Sequence, residues 1–265
     1  MFRKILVGIR EEGSDPEAVA LGDRLALASG AEVRTVHAEG ADELAPLAAA
    51  EAADLVVLGP THHAGFGRLV PGATVERLGK EAPCALAVAP RGFGSPPREP
   101  GEWRPLDGEG SDAGLRVIGV GFDGSPSSRG ALELATDLAL ENGATLRVYA
   151  VAHKLGPIGS DPVSATASPA GAELDAVRGA LHEAVAALPD ETRALPVLLR
   201  GYPAEKLVEA AKAGVDLLVI GSRGGGPVWR AFHGSVSSAV VDNSPCPVLI
   251  APLSLHREAP PPAAA

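Results

Sequence analysis

An α/β fold of two tandem open parallel-sheet units, the first of them shortened, is the architecture that this sequence predicts. Three observations lead there. Short apolar runs rich in Val, Ile and Leu alternate with stretches of helical periodicity along most of the chain. The chain also repeats itself. Gly59 to Pro90 overlays Gly221 to Pro252 without a gap, matching Gly59 with Gly221, Arg68 with Arg230, Gly72 with Gly234 and Pro83-Cys84 with Pro245-Cys246. A second gap-free match lays Gly8 on Gly121, Leu25-Ala26-Leu27 on Leu138-Ala139-Leu140 and Gly30-Ala31 on Gly143-Ala144. Finally, the segment from Arg91 to Gly114 is so rich in Gly, Pro and charge that it reads as a linker between the copies.

The two matches differ in offset by about 49 residues, so the second copy carries a segment that the first lacks, between His37 and Asp54 in first-copy terms. The expected organisation is a shortened unit over 1–90, a linker over 91–114, a complete unit over 115–252 and a tail over 253–265. The tail, ending REAPPPAAA, is expected to be disordered.

In the second copy, Leu115 to Phe122 is a short apolar run suited to a buried parallel strand. Ser125-Pro126 supplies a cap and an early proline for a helix whose Ala131, Leu134, Ala135, Leu138 and Ala139 recur at helical spacing until Asn142-Gly143 closes it. Thr145 to Val151 is the next strand. A Pro/Ser/Gly-rich loop over Gly156 to Gly171 leads to a helix from about Glu173 to Leu188 and a strand at Leu195 to Leu199. Ala204 to Ala213 reads as helix, Asp216 to Ile220 as strand, Ser235 to Asn243 as a short helix and Pro247 to Ala251 as the last strand. Strands alternating with helices through right-handed crossovers give a parallel sheet covered on both faces.

Composition removes several function classes. The net charge of −10 repels a nucleic-acid backbone. No apolar run approaches the roughly 18 to 20 residues that span a bilayer, and MFRKILVGIR is too short and too soon charged for a signal peptide. A cytoplasmic protein is expected, with neither nucleic acid nor membrane as partner. Cys84 and Cys246 are too few for a disulfide framework, and their equivalent positions at the entry to apolar strands favour buried core residues over reactive thiols.

Ligands of open α/β sheets bind beyond the carboxyl ends of the strands, where the strand order reverses. The loop after the Asp216 to Ile220 strand carries Gly221, Gly224, Gly225 and Gly226, then Gly234-Ser235 at a helix start. Glycines allow close backbone approach, and a helix N-terminus offers unpaired N–H groups and a favourable dipole, so an anionic phosphate fits there. Arg223 and Arg230 add positive charge, and Ser235 a hydroxyl donor. The plain alternative is a flexible glycine loop with a capping serine.

Gly221-x2-Gly224-x9-Gly234-Ser235 resembles the nucleotide-binding motif of the universal stress protein family. The resemblance extends to Phe122-Asp123-Gly124-Ser125 at the end of the first strand, to Pro245-Cys246-Pro247-Val248 and to the order of elements in both copies. It implies the adenine-nucleotide alpha-hydrolase-like fold and an ATP site between the first and fourth strands of a five-stranded unit. On that resemblance Asp123 meets ribose hydroxyls, and backbone near Gly121 and Val151 borders adenine. Gly221, Ser222, Arg223, Gly224, Gly225, Gly226 and Pro227, with Gly234 and the helix start Ser235, Val236 and Ser237, hold the phosphates, and Mg²⁺ accompanies them. AMP or ADP would satisfy the same groups. The family also pairs units through their last strands, which implies that Leu86-Ala87-Val88 meets Val248-Leu249-Ile250 within one chain as a pseudo-dimer; a homodimer is the intermolecular counterpart.

In the first copy Arg10 stands for Asp123, His62 for Gly224, His63 for Gly225 and Ala73 for Ser235, so the nucleotide site is expected to be erased there. A metal or phosphate site at His62-His63 is the alternative, set against an ordinary pair of surface histidines. Gly119-Val120-Gly121-Phe122-Asp123-Gly124 also fits G-x-G-x-x-G, yet the acidic residue expected after the next strand is replaced by Val151-Ala152-His153. Neither a G-x-x-x-x-G-K-S/T nor a G-x-S-x-G sequence occurs, and Ser235 has no evident base partner. Rapid catalysis is not expected. The expected function is a nucleotide-dependent stress regulator. Slow ATP hydrolysis is one alternative; another is an interaction module without a nucleotide site, with Trp229 and Phe232 on its contact surface.

Overall fold

Alternation of apolar runs with capped helical segments produces the α/β order expected. The computed structural model describes residues 2–11, 13–60, 78, 84–94, 114–152, 169–222 and 236–252. The first unit contributes strands β1 (Lys4–Ile9), β2 (Glu32–His37), β3 (Leu55–Leu58) and β4 (Ala85–Val88), with helices α1 (Pro16–Ser29) and α2 (Ala41–Ala50). The second contributes β5 (Val117–Gly121), α3 (Pro126–Asn142), β6 (Thr145–Ala152), α4 (Pro169–Ala186), β7 (Arg193–Arg200), α5 (Pro203–Lys212), β8 (Leu217–Gly221), α6 (Val236–Asn243) and β9 (Val248–Ala251). The long helix before β7 starts earlier than periodicity suggests, at Pro169, because a proline is tolerated in a first turn.

All nine strands lie in one sheet of order β2-β1-β3-β4-β9-β8-β5-β6-β7. Neighbours run parallel except β4 and β9, which are antiparallel with Leu86 opposite Ile250 and Val88 opposite Val248. α2 follows β2 directly in the first unit, whereas α4 and β7 intervene between β6 and α5 in the second. The extra segment of the second copy is therefore one helix and one edge strand.

Side chains alternate across the sheet and build a core on each face. Ile5, Val7, Leu55, Val57, Ile118 and Val120 pack with α1, α3 and α4. Leu6, Val56, Leu86, Leu218 and Ile250 pack with α2, α5 and α6. Both units use the same polar brace at the amino ends of their strands. Asp54 Oδ2 accepts the N–H groups of Arg3 (2.8 Å) and Lys4 (3.0 Å), and Asp216 Oδ2 those of Arg116 and Val117, both at 2.8 Å. Cys84 and Cys246 are buried, and burial pushes their thiols up to about 11 and about 12.

Candidate functional site

The strand order of the second unit reverses between β5, whose chain continues into β6 on one side, and β8, which lies on the other. Two helices begin at this switch point. Ser125 caps α3, its Oγ accepting the Ser128 N–H at 3.2 Å, and Pro126 follows as the first helical residue. Gly124, at φ +77°, makes the turn that lets the chain leave β5 and enter α3. Asp123 is anchored in that turn, its Oδ1 accepting the Ser125 N–H at 3.0 Å and its own N–H donating to Ser128 Oγ at 3.3 Å.

At the end of β8, Gly221 lies tight against the first turn of α3. A Cβ on Gly221 would sit 2.5 Å from the Ser127 carbonyl carbon and oxygen and 2.9 Å from the Ser128 nitrogen. The Gly221 carbonyl accepts the Ser237 hydroxyl at 3.3 Å, so β8, α3 and α6 meet at one point. Above it opens a cavity of about 490 Å³, within the range of about 300–1,000 Å³ usual for small-molecule sites.

Gly121, Asp123, Val151, Gly221, Val236 and Ser237 all line this cavity. Ser222 is buried beside it and is not among the lining residues; its N–H donates to the Ala251 carbonyl at 2.9 Å. Arg223, Gly224, Gly225, Gly226, Pro227, Gly234 and Ser235 lie outside the described residues, as do His62, His63, Ala73, the Gly156 to Ser168 stretch of the long loop, Trp229, Phe232 and the tail. Gly119 is inside β5, where a Cβ would meet the Tyr149 ring at 2.9 Å, so it serves strand packing and not a dinucleotide turn.

The cavity also has a wall that periodicity does not reveal. Glu173, Ala176, Val177 and Ala180 of α4 face it, together with Tyr149 and Leu207. Spacing of three, one and three residues puts those α4 side chains on one helical face, but spacing alone does not say that this face meets a cavity. Ser125, Ser127 and Ser128 line the cavity as well, and the last two are buried.

Arrangement of backbone N–H groups, hydroxyls and one anchored carboxylate suits a polyhydroxylated, anionic small molecule. Among the described residues no three His, Cys, Asp or Glu side chains gather as a metal site. None of their helices is long and apolar enough to cross a membrane.

At the equivalent end of β1 in the first unit, two charged side chains pair. Arg10, in the position of Asp123, pairs with Asp15 through Nη2 to Oδ1 at 3.0 Å, and its backbone N–H donates to Asp15 Oδ2 at 3.2 Å. Ser14 Oγ adds a bond to Asp15 Oδ2 at 3.0 Å. The Asp15 carboxylate sits where a Cβ on Gly59, the counterpart of Gly221, would meet its Oδ1 at 2.9 Å.

A family model described as the universal stress protein family matches residues 34–90 and 114–252. A Thermus aquaticus protein named as a universal stress protein is 34% identical over 139 residues, which cover 51% of this chain and 98% of that protein. A solved Pseudomonas aeruginosa protein of unknown function superposes with a TM-score of 0.61 at 17% identity, covering 96% of this chain and 94% of that one. A universal stress protein solved in complex with cAMP is 29% identical and covers 52% of this chain and 98% of that one, with a TM-score of 0.37. Matched in both halves by the family model, and folded as one mostly parallel sheet with the predicted element order, the chain belongs to the universal stress protein family.

Proposed function

We propose that the second unit, residues 115–252, binds one adenine nucleotide in the cavity at the carboxyl ends of β5 and β8, and that occupancy regulates a cytoplasmic stress response. ATP with Mg²⁺ is the expected ligand, with AMP or ADP as its smaller forms. The observation that carries this reading is the convergence of Gly121, Asp123, Val151, Gly221, Val236 and Ser237 on one cavity of about 490 Å³.

Each group has a chemical part. The Asp123 carboxylate accepts hydrogen bonds from ribose hydroxyls. Backbone at Gly121 and Val151 borders the base. N–H groups at the start of α6 and in the glycine loop, Gly221 to Pro227 and Gly234-Ser235, receive phosphate oxygens. Mg²⁺ takes its oxygens from phosphate and water.

The shortened unit, 1–90, then serves as a structural partner, reached through the 91–114 linker, with 253–265 as a tail. Its Arg10–Asp15 pair supports a crevice closed to nucleotide. The β4–β9 ladder supports pairing of the units through their last strands, in the manner of a dimer within one chain. A homodimer of whole chains would be a separate association.

Calorimetric titration of the nucleotide-stripped full chain with Mg·ATP tests the reading, repeated on Gly224→His, which installs the first unit's residue in the second. Binding near one per chain, lost in the variant, is expected. Two per chain would mean that the first crevice is open after all. No heat from a chain shown to be folded would favour the interaction module.

A further inference from the structure

The helix and strand that the first unit lacks are the part of the second unit that walls the cavity. α4 packs on β6 and β7 through buried residues such as Leu181, and its other flank turns Glu173, Ala176, Val177 and Ala180 toward the open space. Ala176 and Ala180 are exposed although they belong to a helix seated on the sheet, so none of the described residues fills the room next to them. Their methyl groups take little room, and with Leu207 and Ile220, which line the same cavity, they give an apolar lining that suits a ring. Glu173 stands at the amino end of the same face.

The charges orient a ligand. Asp123 and Glu173 are the side chains charged at neutral pH that line the cavity among the described residues, and both are carboxylates. A phosphate chain is repelled by them and drawn to the N-terminus of α6, beside Gly221 and Ser237. Its nucleoside must then face α4.

From this geometry we propose that α4 is the selective wall of the cavity: Ala176 and Ala180 admit the ring, and Glu173 accepts a hydrogen bond from a donor on the nucleoside. The proposal rests on the nucleotide reading above and goes beyond it by assigning selection to the inserted helix. The donor is an exocyclic amine or a ribose hydroxyl, and analogues lacking one or the other separate the two.

Titrations of the full, nucleotide-stripped chain with ATP, ITP and 2′-deoxy-ATP, on wild type, Glu173→Ala and Ala176→Leu, test it. Both substituted side chains face solvent in the free protein, and melting curves check the fold. Ala176→Leu is expected to weaken ATP at least tenfold by filling the ring's place. Glu173→Ala is expected to weaken ATP about tenfold and to bring its affinity level with ITP if the amine is read, or with 2′-deoxy-ATP if the hydroxyl is. ATP affinity within twofold of wild type in either variant, or preference unchanged against both analogues, overturns the assignment of α4 while leaving the nucleotide reading intact. Failure of the wild-type chain to bind ATP overturns both.

Discussion

Asp15 and Ser128 occupy equivalent positions in the two units and do different work. Ser128 sits in the first turn of α3 and helps to shape the cavity. Asp15 precedes α1 with φ +55°, a left-handed conformation that Asp and Asn tolerate, and reaches across to Arg10. Burial alone pushes its carboxyl up, but hydrogen bonds from the Arg10 side chain, the Arg10 N–H and Ser14 outweigh burial and hold it below the ordinary aspartate range. A depressed folded-state value contributes stability that is present above the unfolded value and lost as pH falls through the folded one. Asp15→Asn, which keeps the backbone tolerance, should therefore melt lower than wild type at neutral pH, with the gap closing as pH drops below the aspartate range. A gap that does not change with pH would mean that the charge plays no part. In the other unit, Asp123→Ala should weaken ATP by about ten- to a hundredfold, the scale of a hydrogen bond to a charged acceptor, measured by the same calorimetry. The Asp123 carboxylate accepts the Ser125 N–H within its own turn, a local bond whose loss should leave the fold intact, and unchanged affinity would remove Asp123 from the site.

At the scale of elements, the junction of β8 with α3 is the tightest contact near the cavity. A methyl at Gly221 meets backbone and not a flexible side chain, so the first turn of α3 must move. Gly221→Ala should cost about 1–3 kcal/mol by overpacking, seen as a lower midpoint in urea, and should also lower ATP affinity by shifting Ser127 and Ser128. A variant as stable as wild type would show that the contact relaxes freely. Element identity here was legible in the sequence because local chemistry decides it: Ser125-Pro126 begins α3, and Gly143 at φ +60° ends it. Asp123 and Gly221 were legible as site candidates because a family motif marks them. The α4 wall was not, since Glu173 reaches the cavity only through packing of α4 on β6 and β7. Nor was the Arg10–Asp15 pair, which depends on a left-handed residue bringing two side chains together across a turn.

Across the whole molecule, the continuous sheet decides how the two units respond to a ligand. β4 lies between β3 and β9, so the central ladder joins strands from both units, and Leu86, Val88, Val248 and Ile250 share one core. On the other face, Asn142 at the end of α3 donates to the Ala28 carbonyl of α1 at 3.2 Å, a second tie between the units. Unfolding either unit alone would strip a partner from the last strand of the other and expose a sheet edge. The chain should therefore unfold as one cooperative body, and a ligand held by the second unit should protect the first. At a hundred times the dissociation constant, binding stabilises by about 2.7 kcal/mol. Hydrogen exchange with saturating Mg·ATP should then slow at β1 and β3, far from the cavity, as well as at β5 and β8. If the central ladder does not couple the units, β1 and β3 will exchange at the same rate with and without nucleotide, and the melting curve will keep a first step that ATP does not move. Slowing in both units by a similar factor would instead mean that the first unit reports the occupancy of the second through the shared sheet.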